Sequence, residues 1–242
     1  MLTVDSLTVR FGGVTPLDDM SVTFADGVCG LIGPNGAGKT TFFNVLSGFV
    51  RRAGGRVTAF GDDLLELPDH KRVRWGLRRT FQTEQAIATM SVLENVLLVH
   101  EHTAGRAGTR RADLDVVVDA VEFVGLGRHL HDTVGTLGAA ERRLVELARA
   151  VVGRPRLVLL DEPAAGLPDE ESQRLAGVIR RIPERGGALT ILVDHDMELV
   201  RATCSQVAVL DFGYVIADGP TATVLDDPVV MAAYLGTEEV VA

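Results

Sequence analysis

The sequence predicts an α/β fold built on a mostly parallel sheet, and three observations carry that expectation. RLVLLDEP at 156–163 and LTILVDH at 189–195 are continuous apolar runs, as parallel strands covered on both faces require. EESQRLAGVIRRI between them has the apolar spacing of a crossover helix. VCGLI at 28–32 is a third short buried strand, and the helical TTFFNVLSGF follows it closely. Strands that alternate with helices in this way lay down a parallel sheet.

The elements follow in order. LTVDSLTVRF at 2–11 alternates like a strand, and VTPLDDMSVTF predicts a Pro-marked turn and a second strand. RVTAFGDDL at 56–64 predicts a strand and a turn, and LRRTFQ at 77–82 another strand. Residues 83–135 have a different character. SVLENVLLVHEH and ADLDVVVDAVEFVGL have helical periodicity, and the polar TAGRAGTRR joins them, which predicts a helical insertion. Leu144, Leu147, Ala148 and Val151 form the apolar side of an amphipathic helix, yet that helix opens on Gly and two Ala rather than a capping Ser, Thr or Asp. VAVLDFGYVIADG predicts two closing strands and VVMAAYLG a last short helix.

Composition narrows the function. A formal net charge of −9 argues against a nucleic-acid partner, whose phosphates would repel this surface. Cys29 and Cys204 sit in apolar, strand-like contexts without metal-ligand spacing, as buried free thiols of a reducing compartment do. MLTVDSLTVRF lacks the pattern of a signal peptide, and no apolar run approaches the roughly 18 residues of a membrane span. The expectation is a cytoplasmic protein without direct membrane insertion. Lys39 and Lys71 are the only lysines, so a Lys at a special position carries weight.

Lys39 has such a position. GPNGAGKT at 33–40 matches G-x-x-x-x-G-K-[ST] at every fixed place, with a strand before it and a helix after. Gly33, Pro34, Asn35, Gly36, Ala37 and Gly38 would curl the backbone so that its N–H groups face a phosphate chain, and the helix N-terminus at Thr40 and Thr41 adds its dipole. Lys39 would reach the β- and γ-phosphates, and Thr40 would ligate Mg2+. Hydrolysis needs acidic groups as well. Asp161 and Glu162 stand where the apolar strand ends, at the edge where parallel sheets bind ligands. Asp161 would hold Mg2+ through water, and Glu162 would polarise the attacking water. A solvated glycine turn and an acidic loop are the bland alternatives; the full motif and the pairing of the two stretches outweigh them. His195 and Gln82, each at a strand end, carry little alone.

The order GPNGAGKTT, TFQ, LGAAERR, LVLLDEP, DHD resembles an ABC transporter ATPase over nearly the whole chain. The resemblance implies ATP and Mg2+ as ligands and an ABC architecture: a P-loop core with an antiparallel β subdomain and an inserted helical subdomain. The chain would divide into 1–82 (β subdomain and phosphate-loop part of the core), 83–135 (helical subdomain), 136–217 (rest of the core) and 218–242 (tail). It implies that Gln82 touches Mg2+ and senses the membrane subunit, that His195 contacts the γ-phosphate, and that Phe11 stacks on adenine; for Phe11 a core strand role is as good an account. FGGVTPLDDMSV, LSGF, RRTFQ, MSVLENV, DEPAAGL and the tail GPTATVLDDPVVMAAYLGTEE look like the ATPases of branched-chain amino-acid importers. A lipopolysaccharide-transport ATPase has a similar tail. The implied partners are permease subunits, which would hold the chain on the inner face of the membrane and seat a cytoplasmic helix in a groove that includes TFQTEQAIATMSVLENV. A soluble ABC ATPase of translation or DNA repair is the competing class, and a slow regulatory ABC subunit a third.

The unusual helix start has a place in this resemblance. ABC ATPases pair head to tail, and each nucleotide meets the partner's signature, usually L-S-G-G-Q. Here Leu137, Gly138, Ala139, Ala140 and Glu141 stand in that slot, without the serine or either glycine. Pro168 stands where the family usually has Asp or Asn in the D-loop. The implied defect acts on the partner's nucleotide, so the resemblance favours a heterodimer with a sister ATPase.

Overall fold

The computed structural model describes residues 1–104, 110–228, 230 and 231. Two sheets organise them. The first is antiparallel: β1 (Leu2–Phe11) pairs with β2 (Val14–Phe24) on one side and with β4 (Gly54–Ala59) on the other, and β5 (Asp62–Asp63) adds to β4. The second has the order β10-β9-β3-β8-β7-β6, formed by β3 (Val28–Ile32), β6 (Leu77–Arg79), β7 (Leu157–Asp161), β8 (Leu189–Val193), β9 (Gln206–Asp211) and β10 (Tyr214–Pro220). It is parallel except for the β9–β10 hairpin. Every residue of β3, β7 and β8 is buried, which accounts for their unbroken apolar sequence.

The first strand explains its own irregularity. Leu2 and Val4 are buried, and so are Leu7 and Val9, so the apolar alternation slips by one residue between the pairs. A one-residue slip in a straight strand would turn the second pair to solvent. The backbone absorbs it: Ser6 has φ 49°, and the pairing with β2 shifts between Val4 and Leu7. Asp19 does the same for β2 at φ 53°. The expected turn at Pro16 does not form. β2 runs through Pro16, and the chain reverses at Gly12 and Gly13, where Gly12 takes the left-handed φ of 59°.

The core lies on both faces of the parallel sheet. On one face α1 (Lys39–Ser47) packs Phe42 and Phe43 between the two sheets with Phe24, Leu31, Leu159 and Ile191. On the other face α5 (Ala139–Val151), α6 (Asp169–Arg181) and α7 (Met197–Thr203) cover the sheet. The inserted helices α3 (Val92–Ala104) and α4 (Arg110–Phe123) have no separate core: Val96, Val117 and Val121 join the cluster that includes Leu144 and Leu147. Ser91 and Glu94 start α3 with a reciprocal cap, in which Ser91 N donates to Glu94 and Glu94 N donates to Ser91 Oγ.

Two helices have no periodicity in the sequence. α2 (Asp69–Trp75) is polar except for Val73 and Trp75, and Arg72 anchors it by donating to Val45 O and Leu46 O at the end of α1. α8 (Thr221–Leu225) is little more than one turn. The helix expected at VVMAAYLG lies almost wholly outside the described residues. Cys29 and Cys204 are buried free thiols, and burial pushes them up to about 11 and about 12.

Candidate active site

The parallel strands β3, β7 and β8 run the same way, so the segments that leave their carboxyl ends gather at one edge. From β3 comes the loop 33–38. Gly33 has φ 148°, and a Cβ there would sit 1.9 Å from Leu210 O; Gly38 has φ 112°, and a Cβ there would sit 2.3 Å from Pro16 O. Neither position admits another residue. Gly36, at φ 82°, faces open space. Gly38 caps α1 without any side-chain hydrogen bond, so the first N–H groups of the helix stay available to an anion.

The loop encloses a cavity of about 150 Å³, lined by Asn35, Gly36, Lys39, Thr40, Thr41 and Glu162, among others. Lys39 Nζ folds onto the loop, donating to Gly33 O at 2.5 Å and Pro34 O at 2.8 Å. Burial lowers its pKa, and the negative charges of Glu162 and Asp161 oppose that shift. The ammonium therefore already sits in an acidic field.

From β7 come the two carboxylates. Asp161 is the last residue of the strand and is buried. Its Oδ2 pairs with Arg79 Nη2 at 2.8 Å, and its N–H donates to Thr80 Oγ1 at 3.2 Å. Glu162 adopts φ 46°, a left-handed value costly for a residue with a side chain, while its N–H donates to Val193 O at 2.8 Å. That turn aims Glu162 into the cavity. Gln82 Nε2 donates to Glu162 Oε2 at 2.9 Å, which leaves the amide oxygen of Gln82 free.

The structure thus brings together Gly33–Thr41, Asp161, Glu162 and Gln82, and leaves others apart. His195 follows β8, with its side chain 70% exposed and its ring 3.7 Å from the Asp194 carboxyl. Phe11, at the end of β1, is about half exposed. The signature residues lie outside the cavity, at the start of α5. Gly138 precedes that helix at φ −66°, and Ala139 and Ala140 are its first residues, so neither alanine carries the positive φ that would have strained it. Ala140 is buried within the isolated chain. The Glu141 carboxylate folds back over the helix start, 2.6 Å from where a Cβ on Gly138 would stand. Pro168 caps α6.

The residues suit a magnesium nucleotide. A triphosphate fits a loop of upturned N–H groups with one lysine. Thr40, Gln82 and Asp161 offer hydroxyl, amide and carboxylate oxygens, the donor type Mg2+ prefers when phosphates complete its shell. Among the described residues no group of three His, Cys, Asp or Glu side chains offers a site for a transition metal. The sequence reading missed Arg79. Its one signal was a pair of arginines, Arg78 and Arg79, inside a strand-like stretch, where at least one must point inward. An apolar cavity of about 330 Å³ is lined by Phe81 of TFQTEQAIATMSVLENV, by Phe49, Val73 and Leu77 before that stretch, and by Leu98 and Val99 after it.

Comparison with known proteins agrees with this geometry. Residues 17–165 match the model of the ABC transporter family, and residues 215–240 match that of the branched-chain amino acid ATP-binding cassette transporter. The chain is 35% identical to the high-affinity branched-chain amino acid transport ATP-binding protein BraF of Pseudomonas aeruginosa, with 98% of each chain covered. It is 32% identical to the lipopolysaccharide export system ATP-binding protein LptB of Escherichia coli K12, also over 98% of each. It superposes with a TM-score of 0.86, at 26% identity over 98% of both chains, on the crystal structure of the ADP conformation of MJ1267, an ATP-binding cassette of an ABC transporter. With its phosphate loop, paired carboxylates and full-length relatives in agreement, this chain belongs to the ABC transporter ATP-binding family and is an ATPase of that family.

Proposed function

We propose that the chain powers an importer of branched-chain or related amino acids, bound through a permease to the inner face of the membrane. The match of residues 215–240 to the branched-chain amino acid cassette carries this reading, together with the higher identity to BraF than to LptB. The groove supports a permease partner: Phe49 and Leu98 are exposed large apolar side chains at its lip, a surface suited to an apolar helix face. No helix among the described residues is long and apolar enough to cross a membrane, so attachment falls to a partner.

In this mechanism the loop N–H groups and Lys39 hold the phosphates, and Phe11 stacks on the adenine. Thr40, Gln82 and Asp161 would hold Mg2+, which would supply charge neutralisation to the phosphates. Glu162, aimed by its left-handed turn, accepts a proton from the attacking water. Gln82 orients that carboxylate through its amide. His195, exposed and free to turn, closes on the γ-phosphate side.

A sister ATPase completes the machine. Gly138 lacks the hydroxyl that would meet a partner's nucleotide, and Pro168 lacks a polar side chain. A subunit with an intact signature would serve this chain's loop. The test is reconstitution with the permease and candidate sister subunit, with uptake of labelled leucine as readout. ATP-driven leucine uptake is expected. ATP turnover stimulated by lipopolysaccharide and not by amino acid would favour the reading suggested by LptB.

A further inference from the structure

Arg79 ends β6 with its side chain only 5% exposed, and it touches three separate parts of the molecule. Its Nη2 donates to Asp161 Oδ2 at 2.8 Å. Its Nη1 donates to Asn44 Oδ1 at 2.8 Å and Ser47 Oγ at 3.3 Å, both on α1, the helix that grows out of the phosphate loop. Its guanidinium lies over the rings of Phe43 and Phe81, at 5.4 and 4.8 Å from their centroids. Phe81 packs against Phe49, and both line the apolar groove, whose wall Arg79 also reaches. The following residues extend the link, with Thr80 accepting from Asp161 N and Gln82 donating to Glu162.

We propose that Arg79 is a positioning residue that fixes Asp161 for the metal and ties its orientation to the groove. The fork holds one carboxylate oxygen and leaves the other for Mg2+. The stack on Phe81 makes the position of the fork depend on what presses on Phe81 and Phe49. A planar guanidinium can stack and donate in two directions at once; an ammonium cannot. The proposal rests on the reading of the loop as a Mg-ATP site.

The test measures affinity of the full chain for a fluorescent ATP analogue, in EDTA and in Mg2+, beside its melting temperature. Arg79→Lys keeps the charge and loses the fork and the stack. Its affinity in EDTA should match the parent, because Lys39 and the loop are untouched. Its gain in affinity on adding Mg2+ should shrink about tenfold or more, as loss of a metal ligand's supporting hydrogen bond does. Phe81→Leu, which leaves the ion pair, should reduce the gain less and in the same direction. A parental Mg2+ gain in Arg79→Lys overturns the proposal. So does an equal loss in both buffers with a lowered melting temperature, which marks a merely structural arginine. Should Arg79→Lys fail to fold, a parental gain in Phe81→Leu overturns it. A parent with no Mg2+ gain would instead remove the loop assignment itself.

Discussion

Glu162 is held in a backbone conformation that it would avoid in a free chain, and it lines the phosphate cavity. Glu162→Gln keeps its shape and its hydrogen-bonding capacity and removes the base, so ATP should still bind while hydrolysis at this site slows about 10²-fold or more. Lys39→Ala acts on the other property. Without the ammonium the phosphate charge loses its main counter-ion, and Mg-ATP affinity measured by titration should collapse. Asp194 gives a prediction in pH. It is buried beside His195 with Oδ2 unpaired, and burial raises its pKa although the N–H groups of residues 195 and 196 bond Oδ1. An acid whose folded pKa lies above its unfolded value costs stability once pH exceeds the unfolded value, because the folded state must then give up a proton it prefers to keep. Asp194→Asn retains an acceptor for the two N–H groups. It should raise the melting temperature at pH 7.5 and give no gain near pH 3, below both values.

The start of α5 is where local sequence and local geometry can be separated. Gly138 offers no side-chain cap, Ala139 and Ala140 are ordinary helical residues, and the Glu141 carboxylate occupies the room above Gly138. The alanines impose no backbone strain, so the deficit reduces to one absent hydroxyl. A hydrogen bond to a charged group is worth about 1.5–3 kcal/mol, or about 10- to 10²-fold in rate. Gly138→Ser alone should therefore raise steady-state turnover of the assembled complex, the flexible Glu141 side chain moving aside. Ala139→Gly and Ala140→Gly should add no rate and cost about 0.5–1 kcal/mol each by loosening a helix. A rate gain that needs all three changes would show that the two methyls obstruct the nucleotide in addition to the absent hydroxyl.

At the scale of the molecule, two sheets share the Phe42–Phe43 core and the inserted helices share the core of α5, so the groove and the phosphate loop sit on one packed body. Phe49 lies on the lip of the groove, exposed, and contacts Phe81. Phe49→Asp puts a charge on an apolar docking face at little cost to folding. Permease subunits should no longer copurify with the variant, while its affinity for ATP in EDTA, which the loop and Lys39 set, stays close to that of the parent. Retained copurification would place the permease elsewhere.

The sequence by itself determined the parallel strands, the phosphate loop and the two carboxylates, because each is written in a contiguous stretch. A short apolar run such as LVLL, ended by a turn, fits a strand covered on both faces, and glycines at Gly33 and Gly38 are demanded by a backbone path that admits no Cβ. The family followed from the order of such stretches. Other features depend on residues far apart in the chain. The polar α2 is held by Arg72 against the carbonyls of α1, and no periodicity of its own announces it. Asp161 lies 82 positions from Arg79, and only adjacent parallel strands make them an ion pair. The apolar groove takes its walls from Phe49, Phe81 and Leu98, which share no local pattern. Burial decided the meaning of Ala140, which its own chain covers. Contiguous motifs are legible because a few bonds fix them; contacts between distant segments form only once the sheet and its helices have packed.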